Sequence, residues 1–333
     1  MKSILLSKTP AKLTAVFSDA TLQELEERAK LCREPFTRED ILSDPERFSD
    51  TEYIFSTWGM PSFSEDEISR YFPSLRAVFY AAGSVQSFAR PFLSRGVKVF
   101  SAWAANAVPV AEYTVAQIIL ANKGFFSSSR IAKSGDRRAA SACFSQYKGN
   151  YGARVGIIGA GMIGSLVAEM LKAYRLEVLV FDPFLSADRA KALGVKLCSL
   201  EELFSTCSVV SNHLANNEQT RGMLNGVLFS SMRPYATFLN TGRGAQVVED
   251  DLVDVLTARP DLTAVLDVTY PEPPAEGHAF YSLPNCVLTP HIAGSSGDEV
   301  HRMAEYMKDE FDRLIAGEAC RYEVDLKMLE TMA

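Results

Sequence analysis

Paired cysteines and clustered histidines are missing from this chain. Its six cysteines, at 32, 143, 198, 207, 286 and 320, include no CxxC pair, and its four histidines, at 213, 278, 291 and 301, form no HxH or HxxxH group. Such spacing offers neither the ligand cluster of a zinc site nor the framework of a small disulfide-bonded domain. The expectation is a metal-free chain with reduced thiols, as in the cytoplasm. Positive charge is short as well: 34 Lys and Arg stand against 41 Asp and Glu, a formal net charge of -7. Nucleic acid and anionic membrane surfaces both demand a basic face, so neither is the expected partner. No apolar run reaches the roughly 18 residues of a membrane span. The opening MKSILLSKTP carries only three consecutive apolar residues, too few for a secretory signal, and reads as a first β-strand. Internal repeats and low-complexity tracts are absent too.

What is present is alternation. Apolar strand-like runs and helix-like segments follow one another along nearly all 333 residues, which predicts βαβ units, parallel sheets and, at this length, two domains. The first set of strands is SILLS, EYIFS, RAVFYAA and VKVFS; the second is RVGIIG, EVLVF, CSVVS, ATFLN, TAVLDV and CVLTP. Between them lies a long apolar helix, VPVAEYTVAQIILANKGFF, at 108–126. Near the end Val300, Met303, Ala304, Met307, Phe311, Leu314 and Ile315 recur at helical spacing. The second sheet is complete by then, so this helix is expected to cross back and cover the first domain. The boundaries that follow are 1–105 plus 296–333 for one domain and 106–295, including the linking helix, for the other.

The segment VGIIGAGMIG places Gly159, Gly161 and Gly164 between a strand and a helix. In that context the amides of Met162 and Ile163, at the helix start, are set to face a pyrophosphate. The next strand, EVLVFDPF, ends in Asp182. A carboxylate there accepts hydrogen bonds from the adenosine ribose of NAD and repels the extra phosphate of NADP, so NAD is the expected cofactor. The alternative is that these glycines serve only tight helix–strand packing.

Polar residues gather where the later strands end: Asn212 and His213, then NTGRG, DVTYPEP and TPHIAG. In an open parallel sheet those ends form the ligand crevice. The first set does the same with STWGM, AAGSV and SAWAAN, and the two domains are expected to face each other across a cleft. Reduction of a carbonyl needs a proton donor that titrates near neutrality, and His291 suits that task. Glu272, in YPEPP, would hold the tautomer of such a histidine. Arg243 offers a planar fork to a substrate carboxylate. Taken singly, each has a plainer reading as a solvated or loop residue; their appearance on successive strand ends of one sheet favours catalysis.

Taken together, VGIIGAGMIG, FDP, NTGRGAQVVEDDLVDVL, LDVTYPEPP and LPNCVLTPHIAG resemble the D-isomer-specific 2-hydroxyacid dehydrogenases, a family that includes glyoxylate/hydroxypyruvate reductases and phosphoglycerate dehydrogenases. The resemblance is densest over 150–295. It implies an α/β fold of two doubly wound parallel-sheet domains, with a Rossmann cofactor domain inserted into a flavodoxin-like substrate domain. It implies that Arg243 binds the substrate carboxylate and carbonyl, that His291 is the acid/base and that Glu272 tunes it. Amides around Gly83 and Ser84 would grip the carboxylate, and Asp267 would meet the nicotinamide amide. It also implies a homodimer and a small carboxylate substrate.

The chain departs from the family pattern in places. In HLANNEQT, the segment that lines the adenine, Ala215 stands where many members have proline, while His213 and Thr220 remain. AAGSVQSF has one glycine and no aspartate where relatives often have Gly-x-Gly-x-Asp. Trp58 and Met60 in STWGM are expected to wall the substrate cavity. Two other functions stay open on the same scaffold: an NAD(H)-sensing regulatory protein, and a formate- or phosphite-type dehydrogenase.

Overall fold

A computed structural model describes residues 2–330. The chain divides into two compact units, one made of residues up to Asn106 with those from Ser295 onward, the other of Ala107–Gly294. The first unit opens with β1 (Ser3–Leu6), β2 (Leu31–Phe36), β3 (Tyr53–Ser56), β4 (Ala77–Tyr80) and β5 (Lys98–Ser101). The second holds β6 (Tyr151–Ile158), β7 (Arg175–Phe181), β8 (Lys196–Leu197), β9 (Val209–Asn212), β10 (Thr237–Asn240), β11 (Thr263–Leu266) and β12 (Cys286–Leu288). A short β13 (Glu323–Val324) returns to the first sheet.

That first sheet has the order β13-β5-β4-β3-β1-β2, parallel except for β13, which is antiparallel to β5. β1, β3 and β4 are buried at every position, the pattern of a parallel sheet covered on both faces. Ile4, Ile54 and Val78 pack to one side, and Leu5, Tyr53, Phe55 and Phe79 to the other. On the second side Phe55, Phe79 and Phe100 stack across three strands with centroids 5.0 and 4.9 Å apart. Phe311 meets the first two edge-on. It belongs to the helix His301–Ala316, whose Met303, Ala304 and Met307 are buried in the same core. The helical spacing at the end of the chain is therefore that of an element covering the first unit.

Apolar periodicity does not predict β2, LCREPF. This strand lies at the sheet edge, and Pro35 sits where its register with β1 shifts. An edge strand needs neither a continuous apolar run nor every ladder N–H, so proline is tolerated and the usual signature is lost.

In the second unit the order is β12-β11-β10-β9-β6-β7-β8, all parallel. The chain winds outward from β6 to β8, then returns to the other side of β6 to lay down β9 through β12. This reversal beside β6 is the switch point at which a doubly wound sheet leaves a crevice beyond its strand ends. The architecture is thus two doubly wound α/β domains, the second inserted into the first.

The apolar stretch at 108–126 is not one helix. Trp103–Asn122 ends before Gly124, which is left-handed at φ 64°, and two further helices, Phe125–Lys133 and Arg137–Phe144, follow. Glycine takes that conformation without strain and so breaks the helix there. By length and composition alone Trp103–Asn122 could cross a membrane, but half of its apolar window is buried in the fold. Ala105 lies in a core of the first unit, and Ala111, Ile118 and Ala121 lie in a core of the second.

Candidate active site

The glycine loop joins β6 to the helix Met162–Leu171. Gly159 has φ +89°, and a Cβ there would fall 2.8 Å from the His213 carbonyl oxygen. A Cβ on Gly164 would fall 1.9 Å from the Gly159 carbonyl oxygen, so the helix closes on the loop only because both residues are glycine. Gly161 has a different job. A Cβ there would meet nothing within 4 Å, and Gly161 caps the helix without any side-chain hydrogen bond. Among the described residues the N–H groups of Met162 and Ile163 donate to no protein acceptor, and no side chain stands at Gly161, which together fit a pyrophosphate at the helix start. Asp182, just after β7, accepts from the Ala160 N–H at 2.6 Å and the Phe184 N–H at 2.8 Å. It ties the second strand to the loop and keeps acceptor capacity on both oxygens.

Two residues expected along the adenine are turned inward. The His213 ring is buried, with Nε2 2.8 Å from Ser211 Oγ and Nδ1 3.5 Å from Thr241 Oγ1. Burial pushes its pKa down to about 3, so the ring is neutral, and its main chain borders the glycine loop. Thr220 Oγ1 donates to the Ala215 carbonyl at 2.7 Å and closes the 215–220 loop.

The polar strand ends of β10, β11 and β12 are neighbours in the sheet. Arg243, three residues beyond β10, donates to the Gly242 carbonyl at 2.7 Å. Beyond β11, Asp267 is 2% exposed. Its Oδ1 accepts from Thr289 Oγ1 at 2.7 Å and from the Ile292 N–H at 2.8 Å, and its Oδ2 accepts from the Ala293 N–H at 2.9 Å. Those bonds hold the turn after β12, in which His291 has φ +55°. Glu272 then meets His291: Oε1 lies 2.7 Å from Nδ1, with both side chains a little under half exposed. The turn that carries Arg243 abuts this loop closely, since a Cβ on Gly244 would fall 2.0 Å from the carbonyl carbon of Thr269. Glu249 braces the same loop by accepting from the Tyr270 N–H at 2.8 Å, and burial pushes its carboxyl up to about 7. A cavity of about 670 Å³ opens beside the Glu272–His291 pair, with Phe280, Tyr281, Cys286 and Leu288 on its far walls.

In the first unit, Gly83 and Ser84 follow β4. Among the described residues their N–H groups donate to no protein acceptor, while Ser101 Oγ donates to the Ala82 and Gly83 carbonyls. Free adjacent amides at a strand end suit an anion. Trp58 is half-buried against the cores of this unit. Met60 does not wall a cavity: it is 5% exposed and packs with Phe63 and Ile68 in the core. Gly59 turns the chain there at φ +96°, directing the next side chain inward.

A model of the NAD-binding domain of the D-isomer-specific 2-hydroxyacid dehydrogenases matches residues 115–293. The chain belongs to this family. It is 29% identical over 236 residues to a D-3-phosphoglycerate dehydrogenase of Archaeoglobus fulgidus, covering 71% of this chain and 44% of that protein. To the chloroplastic D-3-phosphoglycerate dehydrogenase 2 of Arabidopsis thaliana it is 30% identical over 236 residues, covering 70% and 37%. The chain thus matches less than half the length of these curated relatives. The structure of a phosphoglycerate oxidoreductase from Rhizobium etli superposes with a TM-score of 0.81 at 22% identity, over 98% of this chain and 99% of that one, a likeness of fold.

The cofactor of this family member is NAD, and its glycine loop and Asp182 fit that group. A cation that the motif does not announce also reaches the loop from the helix Ala187–Leu193. Arg189 donates to Ser165 Oγ at 3.1 Å and to the Ala160 carbonyl at 3.4 Å. An arginine soon after the Asp182 strand end was the signal, because that is where a basic residue reaches the ribose side of the loop.

Proposed function

We propose that the protein is an NAD(H)-dependent oxidoreductase that interconverts a 2-oxo acid and its D-2-hydroxy acid, with His291 as acid/base. The observation that carries this reading is the 2.7 Å contact between Glu272 and His291 Nδ1, on the strand end next to the one bearing Arg243. With Nδ1 engaged by a carboxylate, Nε2 is the atom left to give a proton to a carbonyl oxygen and to take it back in oxidation. Arg243 binds the substrate carboxylate as a planar fork. On the first unit the amides of Gly83 and Ser84, which donate to no protein acceptor among the described residues, are proposed to bind a carboxylate. Asp267 has used about three of its four acceptor positions on the His291 turn, which leaves one for the nicotinamide amide. Bound NADH supplies the hydride.

The test is NADH and NADPH oxidation with 2-oxo acids running from glyoxylate and hydroxypyruvate to bulky aryl and branched members. Turnover with NADH is expected, and His291→Ala should lower kcat by roughly 10²–10⁴. Tight NADH binding with silence across the whole panel would overturn the enzyme reading in favour of a sensing protein. The working form is proposed to be a homodimer. Phe125, Phe144 and Tyr151 of the second unit are 48%, 49% and 73% exposed and are candidates for the surface a partner copy would cover. Sedimentation at micromolar concentration is expected to give twice the chain mass.

A further inference from the structure

Three buried side-chain amides meet beneath the Arg243 turn. Asn212 ends β9, Asn240 ends β10 and Gln246 lies in the short turn Gly244–Gln246; none is more than 1% exposed. Gln246 uses its full hydrogen-bonding capacity. Its Oε1 accepts from Asn212 Nδ2 at 2.6 Å and from the Arg243 N–H at 3.2 Å, and its Nε2 donates to the Leu214 and Ala215 carbonyls at 2.8 and 3.0 Å. Asn240 takes the other side of the same arginine. Its Nδ2 donates to the Arg243 carbonyl at 3.2 Å, and its Oδ1 accepts from Asn212 Nδ2 and the Gly242 N–H, both at 3.0 Å. Side chains therefore clamp the main chain of Arg243 at both its N–H and its C=O. Through Gln246 the clamp reaches Leu214, whose N lies 3.1 Å from where a Gly159 Cβ would stand.

We infer that Gln246 is a positioning residue for Arg243, fixing the main chain of that turn to the segment beside the cofactor loop so that the guanidinium is pre-aimed at the substrate carboxylate. An apolar side chain of the same size would fill this space without direction. A side-chain amide presents an acceptor to one segment and two donors to the other, and a buried hydrogen-bonded network of this kind restricts the geometry. Gly242 leaves the room, since a Cβ there would fall 2.9 Å from both Asn212 Nδ2 and Gln246 Oε1. The inference rests on Arg243 being the carboxylate anchor proposed above.

A double-mutant cycle tests it. Gln246→Met keeps the length of the side chain and removes all four bonds. With the oxo acid that turns over fastest, its kcat/KM is expected to fall roughly 10- to 100-fold, since a misplacement of about 1 Å costs that much. In an Arg243→Ala background the same change should add little, because the group being aimed is gone. A merely structural role would lower Tm and act equally in both backgrounds. Gln246→Glu turns a carboxylate oxygen onto the Leu214 and Ala215 carbonyls and should fall at least as far as Gln246→Met. Asn240→Ser, which removes the donation to the Arg243 carbonyl, should also lower kcat/KM and serves if the Gln246 variants do not fold. If Arg243→Ala is crippled while Gln246→Met and Gln246→Glu keep wild-type kcat/KM, or if the losses simply add, the inference is overturned. If Arg243→Ala itself turns over normally, the anchor reading fails instead.

Discussion

Asp267 holds His291 in place. The main-chain oxygen of Asp267 accepts the His291 N–H at 3.1 Å, and its carboxylate takes the next two amides and the Thr289 hydroxyl. A non-glycine residue at positive φ is costly and persists only where its surroundings over-determine it. Asp267→Asn keeps the shape but turns an amide donor toward the Ala293 N–H. Leaving such a buried pair unmatched costs about 1–3 kcal/mol. A loss of kcat of about 10-fold or more, with a fall in Tm, is the expected outcome. Unchanged kcat in the variant would show that the turn needs no such support.

Gly244 sets the spacing between the arginine turn and the glutamate loop. With Thr269 main chain only 2.0 Å from the place of a Cβ, Gly244→Ala must push one of the two away. Backbone cannot yield as a flexible side chain does, so both stability and turnover should drop, the latter by roughly 100-fold for a shift of about 1 Å. Steady-state kinetics on the folded fraction, alongside thermal melts, separate the two losses. Wild-type behaviour in both would show that the loops are free to part.

Asp182 and Arg189 both contact Ala160 of the glycine loop. A carboxylate beside the ribose would disfavour a 2′-phosphate, while the arginine contacts Ala160 of the loop and Ser165 of the helix that follows. Asp182→Ser should therefore narrow the preference for NADH over NADPH by about 10-fold or more, as Arg189 becomes the dominant charge near the ribose. The ratio of kcat/KM for the two cofactors measures it. Arg189→Ala in the same background should undo the gain, and a ratio that never moves would refute the role of both residues.

Glu249 makes stability depend on pH in an unusual direction. Burial raises its carboxyl from 4.5 to about 7 in the folded protein. Across that window the folded state keeps a proton that the unfolded chain releases, so stability falls as pH rises through it. Glu249→Gln cannot ionise and still accepts from Tyr270. The Tm of the variant relative to wild type should rise between about pH 5 and about pH 8. A flat or falling difference would contradict the buried-carboxyl account.

Local sequence determined a good part of this protein. A glycine cluster between a strand and a helix can bend in few ways, so Gly159, Gly161 and Gly164 were legible as a nucleotide loop. Apolar runs buried on both faces announced the central strands of each sheet, and the spacing at 300–315 announced a covering helix. These are signals carried by a few neighbouring residues.

Tertiary structure decided the rest. Glu272 and His291 are 19 positions apart, and they meet because β11 and β12 are neighbours in the sheet with the register that brings their ends level. Nothing in the segment around Gln246 marks it as the link between Arg243 and Leu214, because its partners come from β9, the turn after β10 and the loop beyond β9. His213 turned inward and Met60 entered the core for the same reason: the side a residue faces is set by what packs against it. Propensity and period describe the chain one element at a time, whereas strand order, register and close backbone approach join elements far apart in sequence.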